Sequence, residues 1–123
     1  MSARPRVLIA DDHAGVSKML VELLSRDCDI AGVVADGANA VTEAARLDPV
    51  VALVDVNLPK VNGLEVCRRV MRDNPAARVI LMSGMIDDVI VEEAIAAGAA
   101  ACIPKAKAAT ELLPAIKRVW KTT

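Results

Sequence analysis

Short apolar runs alternate with amphipathic segments along the whole chain, and this alternation limits the fold more than any other feature. The runs are RVLIA (6–10), IAGVVA (30–35), VVALVD (50–55), ARVILMSG (77–84) and AACIPK (100–105). They are rich in β-branched residues, and RVLIA carries no polar alternation, which suits strands buried on both faces. Between the runs the spacing turns helical. Val16, Met19, Leu20, Leu23 and Leu24 fall at i, i+3, i+4, i+7 and i+8, one face of a helix. Residues 37–48 predict an Ala-rich helix with Pro49 just beyond its end. LPKVNG (58–63) reads as a loop, followed by a helix through Asp73 with Leu64, Cys67 and Met71 as its inner stripe. DDVIVEEAIAAGA (87–99) predicts a fourth helix capped by Gly98, and residues 110–120 a fifth with Pro114 near its start.

Strands alternating with helices imply an α/β fold, a parallel sheet with helices on both faces. Right-handed crossovers place every strand's C-terminal end on one edge, where such sheets bind ligands. The chain has 123 residues, about one domain, read here as a single unit over 1–123. It is 54% hydrophobic, but Trp120 is its only aromatic residue, so the core must be built from Val, Ile, Leu, Ala and Met. A net charge of −1 gives no broad attraction to nucleic acid, and no direct nucleic-acid binding is expected. Cys28, Cys67 and Cys102 are scattered without metal-ligand spacing and read as reduced thiols of a cytoplasmic protein. MSARPRVLIADD meets charge too early for a signal peptide, and no apolar run approaches the ~20 residues of a membrane span.

The residues at the strand ends form a set. Asp11 and Asp12 follow the first run, Asp55 ends the third, Ser83 ends the fourth and Lys105 follows the fifth. Singly, each has a bland reading: a cap, a turn or a solvated charge. Brought to one edge, they place carboxylates, a hydroxyl and an ammonium in one crevice. Adjacent acids repel and resist desolvation, so they need compensation. A hard, oxygen-seeking cation such as Mg2+ supplies it. The chemistry that fits is phosphoryl transfer to a carboxylate: the cation offsets the acids, Lys105 adds a point charge, and Ser83 offers a donor to a phosphoryl oxygen.

In LIADDH, LVDVNLPKVNG, ILMSG and GAAACIPK the chain resembles a receiver domain of bacterial two-component response regulators, over essentially its whole length. VLIADDH and AGAAACIPK are most similar to receivers that precede a helix-turn-helix output domain of the LuxR/FixJ type. The resemblance implies a flavodoxin-like (βα)5 fold, a doubly wound five-stranded sheet in the order 2-1-3-4-5. It implies Asp55 as phosphoacceptor, Asp11, Asp12 and Asp55 with the Asn57 backbone carbonyl as Mg2+ ligands, and Asp12 as the closer of the acidic pair. It implies Ser83 as the switch hydroxyl, Lys105 as the site lysine, Pro104 as a cis-proline-type neighbour, and Pro59 and Gly63 as shapers of the acceptor loop. The implied function is a signalling switch that catalyses only its own phosphorylation and dephosphorylation. Its partner would be a sensor histidine kinase or phosphotransfer protein and its output transcription. A homodimer would use the helix 4–strand 5–helix 5 or helix 1/helix 5 faces. A haloacid dehalogenase-type phosphohydrolase would carry an Asp two residues after its nucleophile, where this chain has Asn57. A degenerate receiver that never takes phosphate would lack the intact set of Asp12, Asp55, Ser83 and Lys105.

One departure stands out: the strand-five position that is usually aromatic in such receivers is Cys102, so an aromatic swing is not available. Met85 and Asn57, two residues past Ser83 and Asp55, flank the expected path of the hydrolytic water, and apolar Met85 is expected to hinder it. His13, just past the acids, invites a phosphohistidine or metal role but is read as an exposed residue at the start of helix one, and Cys28 and Cys67 as packing residues. Ile90 and Ile95 are divided evenly between core edge and partner surface. Trp120 is expected to pack on helix five or toward a further domain.

Overall fold

β1 (Arg6–Ala10), β2 (Asp29–Val34), β3 (Val51–Asp55), β4 (Arg78–Ser83) and β5 (Ala101–Pro104) hydrogen-bond in the order β2-β1-β3-β4-β5, every neighbouring pair parallel. Between them run α1 (Ala14–Leu24), α2 (Gly37–Leu47), α3 (Gly63–Asp73) and α4 (Asp88–Ala97), and a 3-10 turn (Lys105–Lys107) leads into α5 (Ala108–Lys121). This computed structural model describes residues 4–121. The first three residues of the stretch read as lacking a leader, and the last two of the chain, lie outside the described residues. The flavodoxin-like order predicted from the resemblance is the order observed.

The alternation of side chains along each strand builds two cores. Val7, Ile9, Val51, Leu53, Ile80, Met82 and Ile103 face α1 and α5, meeting Leu20, Leu24, Leu112 and Ile116. Leu8, Ala10, Ala52, Val54, Val79 and Leu81 face the other way, against α2, α3 and α4, meeting Ala40, Leu64, Val66, Cys67, Val70, Ala94 and Ala97. β3 is the central strand and is buried at every position, which is why its sequence reads as an unbroken apolar run.

Several local expectations need correcting. Met19, placed on the inner face of α1 by spacing, is exposed, and the buried line runs through Ser17, Leu20 and Leu24. The five-residue stripe is wider than the contact with the sheet, and the helix settles on its Leu20–Leu24 side. In α3 Leu64 and Cys67 are buried as expected, but Val66 and Val70 join them, while Met71 is half-buried beneath Gly98. α5 starts at Ala108, two residues before the expected Thr110, so Pro114 lies inside the helix rather than near its start. Thr110 thereby loses an N–H donor one turn on. Both residues lie on the exposed side of the helix. No described peptide bond is cis, so Pro104 is not the cis-type residue expected. It closes β5 opposite Ser83, in extended backbone that the parallel ladder requires.

Gly98 ends α4 in the left-handed region, at φ 91°, and its N–H bonds back to the last turn, the capping role its position predicted.

Candidate functional site

The ends of β1, β3, β4 and β5 form one edge, and the backbone pins them together. Asp11 N–H donates to the Val34 carbonyl and Val56 N–H to the Met82 carbonyl, while Gly63 N–H returns to the Val56 carbonyl. The last contact brings the start of α3 against the acceptor strand. A Cβ on Gly63 would collide with the Asp55 carbonyl, so only glycine lets the helix enter here. Gly37 is constrained in the same way by the Val61 backbone.

Asp11 and Asp55 are fully withdrawn from solvent, with side chains 0% and 1% exposed, whereas Asp12 is 35% exposed. Lys105 Nζ reaches between the buried pair, 2.8 Å from Asp55 Oδ2 and 3.0 Å from Asp11 Oδ2. The contact with Asp55 is a hydrogen bond. The contact with Asp11 is an ion pair, and Asp11 Oδ2 is buried without a well-formed hydrogen bond. Asp55 Oδ1 accepts the Asn57 N–H at 3.1 Å, so the carboxylate is held at both oxygens. Partial burial pushes the Lys105 ammonium down. Its hydrogen bond to Asp55 and its contact with Asp11 outweigh this and carry it above the ordinary lysine value.

Asp11, Asp12, His13 and Asp55 each offer a ligand atom within 4.8 Å of the others. Like charges about 4 Å apart near a protein surface repel by about 4 kcal/mol. One ammonium against three carboxylates therefore leaves a surplus of negative charge. The donor set fits a hard divalent cation: carboxylate oxygens on a rigid edge, one of them buried and lacking a donor.

Of the expected site residues, the fold gathers Asp11, Asp12, Asp55 and Lys105. Ser83 is buried beside them at the end of β4, one residue past the Asp55 partner Met82. Its hydroxyl, however, donates to the Met85 carbonyl at 2.7 Å instead of facing the acids. Asn57 and Met85 are exposed, Met85 by 76%. Cys102 is half-buried on the α2–α3–α4 side of β5. Cys28 and Cys67 are buried, as packing residues should be, and the Cys67 thiol donates to the Ala97 carbonyl at 3.4 Å. On α4, Ile90 is partly buried and Ile95 is 70% exposed, so the pair divides between the two readings.

Two features go beyond the sequence reading. His13, read as an exposed residue rather than a ligand, is exposed but also lays Nδ1 3.2 Å from Asp11 Oδ1 and from Asp12 Oδ1. Asp36 caps α2 through Asn39 N–H, and Lys60 approaches it to 3.6 Å. Asp36 lies one residue before Gly37, whose N–H donates to the Pro59 carbonyl. The acceptor-side loop is thus tied to the β2–α2 turn, a contact between segments distant in sequence.

Residues 7–117 match the profile of the family described as the response regulator receiver domain. The chain is 32% identical over 117 residues to the chemotaxis protein CheY of Thermotoga maritima, covering 94% of this chain and 98% of that one. It is 34% identical over 116 residues to the DNA-binding transcriptional activator DevR/DosR of Mycobacterium tuberculosis, covering 93% of this chain but only 54% of that protein. It therefore spans about half the length of that regulator. It also superposes on a chain of the CheX–CheY–BeF3–Mg2+ complex from Borrelia burgdorferi with a TM-score of 0.88, at 26% identity, covering 94% of this chain and 88% of that one.

Proposed function

The chain belongs to the response regulator receiver domain family, the phosphorylatable switches of two-component signalling, and on that premise we propose that Asp55 is its phosphoacceptor. The observation that carries this is the Lys105 ammonium, 2.8 Å from Asp55 and 3.0 Å from Asp11 at the mouth of the sheet. Asp55 is a nucleophile held in place before any donor arrives. The Asn57 N–H and Lys105 fix its orientation. In the transfer, an Asp55 oxygen forms a bond to phosphorus as the bond from phosphorus to the donor's histidine nitrogen breaks, and the histidine leaves. Lys105 stays beside the product, its charge facing the added phosphoryl oxygens. Ser83 turns from the Met85 carbonyl to donate to one of them, which frees Met85 and the β4–α4 turn to move.

Asp11, Asp12, Asp55 and the Asn57 carbonyl would hold Mg2+, which when bound neutralises the acids and the phosphoryl charge. A solved relative whose complex contains BeF3 and Mg2+ supports the reading. The donor is a sensor histidine kinase or phosphotransfer protein, in the cytoplasm. The output is transcription, an inference from likeness to DevR/DosR. No described helix is long and apolar enough to cross a membrane.

The test is to incubate the protein and Asp55→Asn with a small acyl phosphate and Mg2+ and to weigh both by mass spectrometry. Wild type gains one base-labile phosphoryl group and Asp55→Asn none. A label that persists in Asp55→Asn refutes the assignment. A wild type that takes neither phosphate nor BeF3 is a degenerate receiver.

A further inference from the structure

His13 is the chain's only histidine, and the phosphotransfer reading leaves it without a task. It stands at the N-cap of α1, but its side chain makes no capping bond to the helix. Instead its Nδ1 lies 3.2 Å from one oxygen of Asp11 and 3.2 Å from one of Asp12. The ring is 64% exposed above a fully buried Asp11. Its ligand atom and those of Asp11, Asp12 and Asp55 are all within 4.8 Å of each other. A second observation points to a ligand here. Asp11 Oδ2 is buried and accepts no hydrogen bond, its one near neighbour of opposite charge being Lys105 Nζ at 3.0 Å.

Donors about 2.1 Å from a shared ion sit about 3.0 Å apart across an octahedral edge and about 3.4 Å apart across a tetrahedral one. The spacing of Nδ1 from both carboxylates falls between these values. An all-oxygen set suits Mg2+, whereas an added imidazole nitrogen suits Zn2+ and similar ions. We propose that His13 Nδ1 is a metal ligand of the acidic pocket and gives it affinity for imidazole-binding divalent ions such as Zn2+, in addition to Mg2+. This rests on the cation-site reading above. The competing role for the ring, a hydrogen-bond donor laid over the acids, differs in sign. A donor ring obstructs every cation, so its removal strengthens binding of all of them. Loss of a ligating ring weakens Zn2+ alone.

The whole chain, His13→Asn and Asp12→Asn are titrated with Zn2+ and with Mg2+ by calorimetry, while the ring signals of the single histidine are followed by NMR. Asparagine is a favourable N-cap, so His13→Asn keeps α1. The expected result is a Zn2+ affinity lower by about tenfold or more in His13→Asn, at least what losing an outer-shell partner costs. Its Mg2+ affinity is unchanged or higher. In wild type, Zn2+ moves the ring signals; Asp12→Asn weakens both ions. Unchanged or tighter Zn2+ binding in His13→Asn, or ring signals unmoved by bound Zn2+, overturns the proposal, and binding through cysteines would give that outcome. A wild type that binds Mg2+ but fails these tests overturns the histidine role alone. A wild type that binds neither ion overturns the cation site with it.

Discussion

At the scale of single residues, the site depends on one ammonium. Lys105 is the charge that lets Asp11 and Asp55 remain buried side by side. Removing one partner of a buried ionic cluster leaves the rest uncompensated, which costs about 3 kcal/mol or more. Lys105→Met is therefore expected to lose about 3 kcal/mol in urea denaturation, and Mg2+ to restore more stability to it than to wild type by linkage. Asp12 is the converse case. It is one-third exposed and forms no ion pair with Lys105. Asp12→Asn relieves repulsion and should raise the melting temperature in EDTA, while the rise on adding Mg2+ shrinks. A lower melting temperature in EDTA would mean the acids are not strained. Met85, at the exposed mouth, is expected to slow water; Met85→Glu should shorten the phosphoryl lifetime in an autodephosphorylation assay.

At the scale of elements, α3 shows how two adjacent residues do different work. Asn62 caps the helix by accepting Glu65 N–H at 3.0 Å, a local bond. Gly63 instead lets the helix pass the Asp55 carbonyl, a contact between β3 and α3. Asn62→Ala should cost about 1 kcal/mol, the ordinary worth of a cap, with phosphorylation intact. Gly63→Ala should cost about 2 kcal/mol and also slow phosphorylation, because the acceptor strand or the helix must move. Equal losses of stability and unaltered phosphorylation in both would show that the close approach does not position Asp55. α4 leaves Val89, Val91 and Ile95 exposed, and its buried contacts with the sheet rest on Ala94 and Ala97.

At the scale of the molecule, the shifted groups define a pH range. Lys105 lies above its ordinary value, so its contribution is complete below the unfolded lysine pKa and is lost as pH rises through the folded one. Asp36 is held below its ordinary value, first by the Asn39 N–H and then by Lys60, and Glu65 by Arg69 and Arg68. Their contributions exist above the unfolded acid pKa and are lost as pH falls through the folded ones. Thermal melts should thus be level through neutrality and decline below about pH 4 and above about pH 10. The thiols divide by burial. Desolvation pushes Cys67 to about 11 and raises Cys28 and Cys102. A thiol reagent at neutral pH should modify half-buried Cys102 first, and Cys28 and Cys67 only on unfolding.

Much of this was legible in the sequence because it depends on short-range periodicity and on the handedness of crossovers. Unbroken apolar runs marked the buried strands, helical spacing marked the covering layers, and parallel connection carried Asp11, Asp12, Asp55 and Lys105 to one edge. What periodicity cannot express is the direction of a side chain once several elements crowd it. Met19 turned outward because α1 seats its Leu20–Leu24 line on the sheet. Ser83 found a carbonyl two residues away. α5 began early because a 3-10 turn absorbed Lys105–Lys107. His13 met both acids because the N-cap of α1 leaves β1 beside them. The sequence by itself determined which chemistry gathers at the edge. Only packing between distant segments decided which oxygen Lys105 bonds, which is left without a donor, and which nitrogen stands over it.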